Sequence, residues 1–515
     1  MKILGKVSLV SGATFLSRIL GLIRDILFFS IFGTSIFGEA FLLAFTFPNL
    51  FRRMLGEGTL TSALIPSYTS VLKKEGQEQG FSLLNQVFSR LLVFLGILTL
   101  IICCICWFCL STGLIGNEKW LLGVQYTTIT FGYVLLVCCS AILIGILNVH
   151  DRFLEGAISP VILNGCMIVA LAFGFSPWLS ENYQIAKLLC YGVVFAGILQ
   201  LAMPWLKLNK SLKWKWSFSL EKSDEFIRLS KLFWFGALGA AVAQLNILVS
   251  RLLAYSLEEE GALAFLYLSA RLVELPLGVF AISVTTVLFP LLARSSEDGE
   301  AKDFETYFYK GVRVITAISV PASVGLCLLA EPIMQLLYQW KEFDYNRVVQ
   351  GAEVLEVVAW TIPIYAISLF LVKVHHSRKD MKAPLRAALV SLGTNFLLSL
   401  LLMGDYGVFG LAWANLISAF CQAMILLLNL SFFKFTDFFS TKKIALVATT
   451  AGCLIMALFL YYCQPVLPVT ETKIGLLIEV LFLVFSSILI YGLALGVMKF
   501  PEMKLLLKRE KRQGL

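Results

Sequence analysis

Apolar runs of about twenty residues recur from one end of the chain to the other, each long enough for a helix to cross the hydrocarbon core of a bilayer. Short polar connections separate them, and no soluble domain interrupts the series. The pattern predicts fourteen helical spans, at about 7–33, 39–72, 88–112, 122–149, 157–175, 184–206, 226–255, 262–293, 311–331, 350–374, 384–403, 408–432, 442–463 and 474–498. The expected fold class is therefore an all-α polytopic membrane protein. The apolar start is long, is broken by Arg18, Arg24 and Asp25, and has no small-residue cleavage pattern, so it reads as a span and not as a cleaved signal.

Composition agrees. The 515 residues are 58% hydrophobic and only 15% charged, where a soluble domain carries about a quarter charged residues. The net charge of +9 would suit a nucleic-acid partner, but its placement points elsewhere. One set of alternate loops holds Lys73, Lys74, Arg152, Lys207, Lys210, Lys213, Lys215, Lys222, Lys302, Arg378, Lys379, Lys382, Lys434, Lys442 and Lys443. The other holds Lys119, Lys187, Lys341, Arg347 and Lys473, beside the acidic run Glu258–Glu260. By the positive-inside rule the first set is cytoplasmic, which puts both termini and the basic tail Lys504–Arg512 inside.

The polar stretch from Lys207 to Ser223, with Trp214 and Trp216, reads as a basic amphipathic segment on the inner membrane surface. It divides the chain. The segment Gly58–Pro66 (GTLTSALIP) in the second span resembles Ile282–Pro290 (ISVTTVLFP) in the eighth, aligning Thr61 with Thr285 and Pro66 with Pro290. Two related six-helix lobes are expected, 1–206 and 226–433, joined by the linker 207–225 and followed by a C-terminal pair and tail, 434–515. Internal repeats of this kind are common in transporters. Prolines and glycines (Gly12, Gly21, Pro48, Gly56, Gly58, Pro66, Pro276, Gly278) predict bent or broken helices in spans 1, 2 and 8.

Those spans also hold charges. An ionised group at the bilayer centre costs roughly 2.5–3.5 kcal/mol on insertion scales, so it ordinarily faces a watery cavity or a partner. Arg18 and Arg24 point roughly 120° apart on an ideal helix, and Asp25, adjacent to Arg24, is not expected to face it. Arg18 and Asp25 share a face. Arg53 and Glu57 are i,i+4 neighbours, which leaves Arg52 as the better candidate anion ligand; Arg271 and Glu274 are i,i+3 neighbours before Pro276. Glu39 either gates an outer mouth or pairs with an arginine. Structural ion pairs and interfacial snorkelling are the competing account of these charges. Basic residues exceed acidic ones, however, and the planar fork of arginine suits the oxygens of a diphosphate.

Other chemistries find little footing. The twelve cysteines lie in or at the ends of apolar runs, and the Cys106-x-x-Cys109 spacing has neither a second pair nor a nearby histidine, so no metal site is expected. His150, His375 and His376 sit at loop edges, which argues against a histidine-dependent enzyme. No phosphate-loop motif occurs, so no ATPase domain and no nucleotide cofactor are expected. Asn246 with Ser250, and Asn395 with Ser399, are spaced for a small site but offer no carboxylate.

Three motifs carry a family resemblance: Ser17-Arg18-Ile-Leu-Gly21-Leu-Ile-Arg24-Asp25; Phe47-Pro48-Asn49-Leu50-Phe51-Arg52-Arg53 with Glu57-Gly58; and Ala270-Arg271-Leu-Val-Glu274-Leu-Pro276-Leu-Gly278-Val-Phe280. In this order, with fourteen spans, the chain resembles the MurJ/MviN family of lipid II flippases, within the multidrug/oligosaccharidyl-lipid/polysaccharide exporter superfamily. The resemblance implies a bacterial cytoplasmic-membrane transporter that moves undecaprenyl-diphosphate-linked disaccharide-pentapeptide outward for peptidoglycan synthesis, by alternating access around a central cationic cavity. A hydrophobic groove formed by the last two spans is implied too. It implies that Arg18, Arg24, Arg52 and Arg271 engage the diphosphate, with Asp25, Glu39, Arg53, Glu57 and Glu274 in supporting or gating roles. Membrane lipids and cell-wall synthases are the implied partners. A flippase for another polyprenyl-diphosphate oligosaccharide, or a non-transporting cell-wall scaffold, is the alternative. Ala270 stands where many relatives place an acid, and Ser250 and Ser399 where some offer carboxylates; these departures weaken a gating pair at 270 and argue against sodium coupling.

Overall fold

The computed structural model describes residues 2–176, 181–278, 282–433, 443–466 and 472–503. The side chain of Glu57, the loop lysines 434 and 442 and the basic tail from residue 504 lie outside the described part. Among the described residues the chain is helical, with no strand. Nine helices among the described residues are long and apolar enough to cross a membrane, and they account for ten of the expected spans, since Lys382–Leu428 holds two. The other four expected spans coincide with helices that carry Arg18, Arg24, Arg52, Arg251 and Arg271.

Compactness divides the chain into two units, Met1–Ala264 with Trp340–Asp344, and Phe265–Gln339 with Tyr345–Leu515. The division falls at 264/265 and not at the linker, because the seventh span packs with the helices before it.

In the first unit α1 (Lys2–Phe32) ends at Gly33, whose φ of +52° suits glycine, and a Cβ there would sit 2.6 Å from the carbonyl oxygen of Glu342. The second span is interrupted, as the sequence predicts: α2 (Ile36–Phe51) passes into a π-helical stretch, Arg52–Thr59, and then α3 (Leu60–Glu75). Pro48 supplies no N–H and crowds the carbonyl four residues earlier, and Gly56 and Gly58 are weak helix formers, so the chain widens there. α4 (Gln77–Thr112), α5 (Glu118–Thr130), α6 (Gly132–Val149), α7 (Leu154–Ala172), α8 (Asn182–Leu212) and α9 (Asp224–Ser256) follow. α1 packs on α7, α7 and α6 on α8, and α2 on α5, while α9 lies against α2, the π-helical stretch and α3.

The basic amphipathic linker docks along the protein. Residues 207–212 continue α8, Lys213 ends it in the left-handed region, and 214–223 run without regular secondary structure along the polar start of α4. Trp214 is buried, donating to Asn85 Oδ1 at 2.9 Å and packing edge-on to Trp205 and Phe88. Asn85 Nδ2 donates to Ser217 Oγ (2.9 Å), the Ser219 N–H to Ser89 Oγ (3.1 Å), and Arg90 Nη2 to the Leu220 and Glu221 carbonyls (2.6 Å each). Polar α4 residues that would face lipid unsatisfied are thus paired by the linker backbone and serines.

α10 (Ala262–Pro276) leads from the first unit into the second and passes into π-helical residues 277–278, so the eighth span also leaves α-helical geometry at its proline and glycine; α11 (Ile282–Glu297) follows. α12 (Ala301–Leu328), α13 (Ala330–Tyr338), α14 (Tyr345–Ala359), α15 (Thr361–Ser377), α16 (Lys382–Leu428), α17 (Lys443–Cys463) and α18 (Lys473–Val497) complete the second unit. Gly407, at φ 52°, ψ −132°, turns the chain between the two spans held in α16. Phe304, Phe308 and Phe370 centre one core. The last two spans pack on α12, where Tyr491 Oη donates to the Ala317 carbonyl (2.6 Å) and Arg313 pairs with buried Glu502 (2.8 Å).

Candidate functional site

In the first unit the predicted cations have unequal surroundings. Arg18 is exposed on α1. Two turns on, Arg24 is only 6% exposed, and it pairs with Asp25: Nη2–Oδ1 is 2.6 Å and Nε–Oδ1 3.0 Å. This corrects the expectation that adjacent helical residues cannot meet, because the long guanidinium arm curls back onto its neighbour. Asn164 of α7 completes the arrangement. Its Oδ1 accepts from Arg24 Nη1 (3.0 Å) and its Nδ2 donates to the Ser17 carbonyl (3.0 Å). A single asparagine in the apolar run of the fifth span was the available sequence signal, and sequence reasoning passed over it.

Arg52 is half-buried and Arg53 exposed, both at the start of the π-helical stretch. The Arg53–Glu57 pair falls on a side chain outside the described residues. A cation missed by sequence reasoning stands nearby: Arg251 of α9 donates Nη1 to Thr46 Oγ1 of α2 at 2.8 Å. Its signal was plain, an arginine within the seventh span.

Glu39 is 1% exposed and pairs with a lysine, where the sequence reading offered gating or an arginine. Lys119 Nζ lies 2.8 Å from Oε2, and Oε1 accepts the N–H groups of Leu263 (2.8 Å) and Ala264 (3.3 Å) in the first turn of α10. Lys119 Nζ also donates to the Leu257 carbonyl (3.2 Å), and Tyr255 Oη donates to the Lys119 carbonyl. A carboxylate at a helix N-terminus satisfies donors that the helix itself leaves open and opposes the positive end of its dipole.

In the second unit Arg271 and Glu274 meet as predicted, at 3.2 Å, with side chains 36% and 47% exposed, one turn before the break at Pro276. The other predicted polar pairs turn inward on their own helices. Ser250 Oγ donates to the Asn246 carbonyl (3.1 Å), and Ser399 Oγ to Asn395 Oδ1 (3.4 Å). His375 is buried, its Nδ1 3.0 Å from Asp380 Oδ2 and its Nε2 3.0 Å from the Leu426 carbonyl. Burial pushes the Asp380 carboxyl up, but the N–H of Ala383, the His375 ring and the N–H of Lys382 outweigh it and hold the group below its ordinary value. No cluster of three metal-ligating side chains occurs among the described residues.

Arg52 and Arg271 each stand where a span is interrupted, and neither is as deeply enclosed as Arg24. Residues 28–494 match the family model described as lipid II flippase MurJ. A protein of Bdellovibrio bacteriovorus named probable lipid II flippase MurJ is 31% identical over 83% of this chain and 82% of its own length. One of Rhizobium tropici with the same name is 29% identical over 84% and 81%. Among solved structures, lipid II flippase MurJ in an inward closed conformation is similar with a TM-score of 0.78 at 25% identity, covering 97% of this chain and 99% of that one. An inward-facing multidrug-resistance transporter of the MATE family shares the fold, with a TM-score of 0.62 at 14% identity over 80% and 93%.

Proposed function

Because the chain belongs to the lipid II flippase MurJ family, we propose that it carries undecaprenyl-diphosphate-linked disaccharide-pentapeptide from the inner to the outer leaflet of a bacterial cytoplasmic membrane. It is a transporter and not an enzyme. The observation that carries this reading is the family match across residues 28–494, which takes in Arg52 and Arg271. The lysine and arginine bias of the alternate loops supports a topology with both termini in the cytoplasm.

The diphosphate is the recognition element. Arg52 and Arg271 are its principal ligands, since a guanidinium offers paired N–H donors to adjacent phosphate oxygens. Arg18 adds an exposed cation. Arg24 is held in one orientation by Asp25 and Asn164 and acts as a fixed donor. Glu274 pairs with Arg271, Asp25 holds the Arg24 arm curled back, and Glu39 with Lys119 ties the start of α10. Transport follows alternating access, with the polyprenyl tail left in lipid. Like charges in low-dielectric surroundings repel, so neutralisation by the diphosphate is what allows the change of state.

Binding to purified protein in nanodiscs tests this. Lipid II is expected to bind more tightly than undecaprenyl monophosphate. Arg271→Ala removes a charged hydrogen bond worth about 1.5–3 kcal/mol and should weaken lipid II binding roughly 10- to 100-fold. Equal affinity for mono- and diphosphate lipids would overturn the reading. Tighter binding of a different diphosphate-linked oligosaccharide would move the assignment to that headgroup.

A further inference from the structure

The linker turns serines toward the protein. Ser217 and Ser219 bond to α4, and two of the residues beside them are left facing outward. Those neighbours are apolar: Phe218 is 57% and Leu220 51% exposed. Lys213, Lys215 and Lys222 are exposed among them, against one acid, Glu221.

The depth of this surface is fixed by its docking. Arg90 holds the carbonyls of Leu220 and Glu221, and the apolar run of α4 begins at the next residue, Leu91. Phe94, 55% exposed in that run, lies four residues on, about 6 Å along the helix axis. Phe218 and Leu220 therefore stand at the level where the hydrocarbon begins, with the lysines around them at headgroup height. Apolar side chains interleaved with lysines at this level complement a surface of acidic phospholipid.

We propose that residues 213–222 form an interfacial anchor for the acidic phospholipids of the inner leaflet. Phe218 and Leu220 enter the headgroup–acyl boundary, and Lys213, Lys215 and Lys222 pair with lipid phosphates. The docked linker fixes the cytoplasmic rim of α4, α8 and α9 to the membrane.

Hydrogen exchange of the 213–222 backbone amides, measured on the full chain in nanodiscs of phosphatidylcholine alone or mixed with phosphatidylglycerol, tests this. Each lysine near an acidic surface is worth up to a factor of about five, so acidic lipid should slow exchange on the order of tenfold. The Lys213→Gln/Lys215→Gln/Lys222→Gln variant should lose that difference. Phe218→Ser/Leu220→Ser should exchange faster in both lipids. Identical exchange of the wild-type protein in the two lipids would overturn the proposal without any variant, and so would a triple variant that keeps the whole difference.

Discussion

Arg24→Ala is the substitution whose outcome the structure changes most. The residue is 6% exposed, as is Asp25, and the pair is closed at 2.6 Å. Removing only the guanidinium leaves a carboxylate enclosed without its countercharge and takes a donor from Asn164. Breaking a buried pair from one side costs about 3–5 kcal/mol. Arg24→Ala/Asp25→Ala removes both buried charges together and leaves an Asn164 amide to be satisfied, a loss of roughly 1–3 kcal/mol. The double variant should therefore be the more stable of the two, by about 2 kcal/mol. Chemical unfolding of the wild type and both variants in one detergent measures this directly. A single variant within about 0.5 kcal/mol of wild type, the range of surface substitutions, would refute the buried-pair argument. A double variant costing the sum of the two singles would refute the coupling. If the order holds, lost transport in Arg24→Ala reports folding as well as ligand binding. Arg271→Ala is cleaner, since an exposed pair is worth about 0–1 kcal/mol.

Two further outcomes follow from named contacts. Glu39→Ala should destabilise more than Lys119→Ala, by about 1 kcal/mol in unfolding measurements, because Glu39 also caps the Leu263 and Ala264 N–H groups; equal losses would mean the cap contributes nothing. Asp380 has a folded value below its ordinary 3.8, so its contribution is complete above the unfolded value and is lost as pH falls through the folded one. Melting curves of the wild type should decline below about pH 4 more steeply than those of Asp380→Asn; parallel declines would remove Asp380 from the acid transition.

Several features were legible in the sequence because they are local. Apolar run lengths mark the spans, Pro48 with Gly56 and Gly58 mark the π-helical break, and i,i+3 spacing gives Arg271–Glu274. What escaped depends on partners far along the chain. Arg24–Asp25 violates the helical-face rule until the reach of arginine is considered, and its orientation needs Asn164, 140 residues away. Glu39 finds Lys119, which loop counting had assigned only a topological role. Trp214 and Trp216 suggest an interfacial segment, but the burial of Trp214 requires Asn85 and Phe88 of another helix. Arg313–Glu502 joins α12 to the chain beyond α18, a pairing that no spacing rule reports.

Under the proposed function, intramembrane arginines carry the diphosphate of lipid II across the bilayer. The most direct measurement uses cells in which this protein is the sole lipid II flippase and asks how much lipid II an externally added cleaving enzyme can reach. The account predicts cleavage with the wild-type protein and its loss with Arg271→Ala at equal membrane abundance. Cleavage undiminished in Arg271→Ala, or absent with abundant wild-type protein, would contradict it.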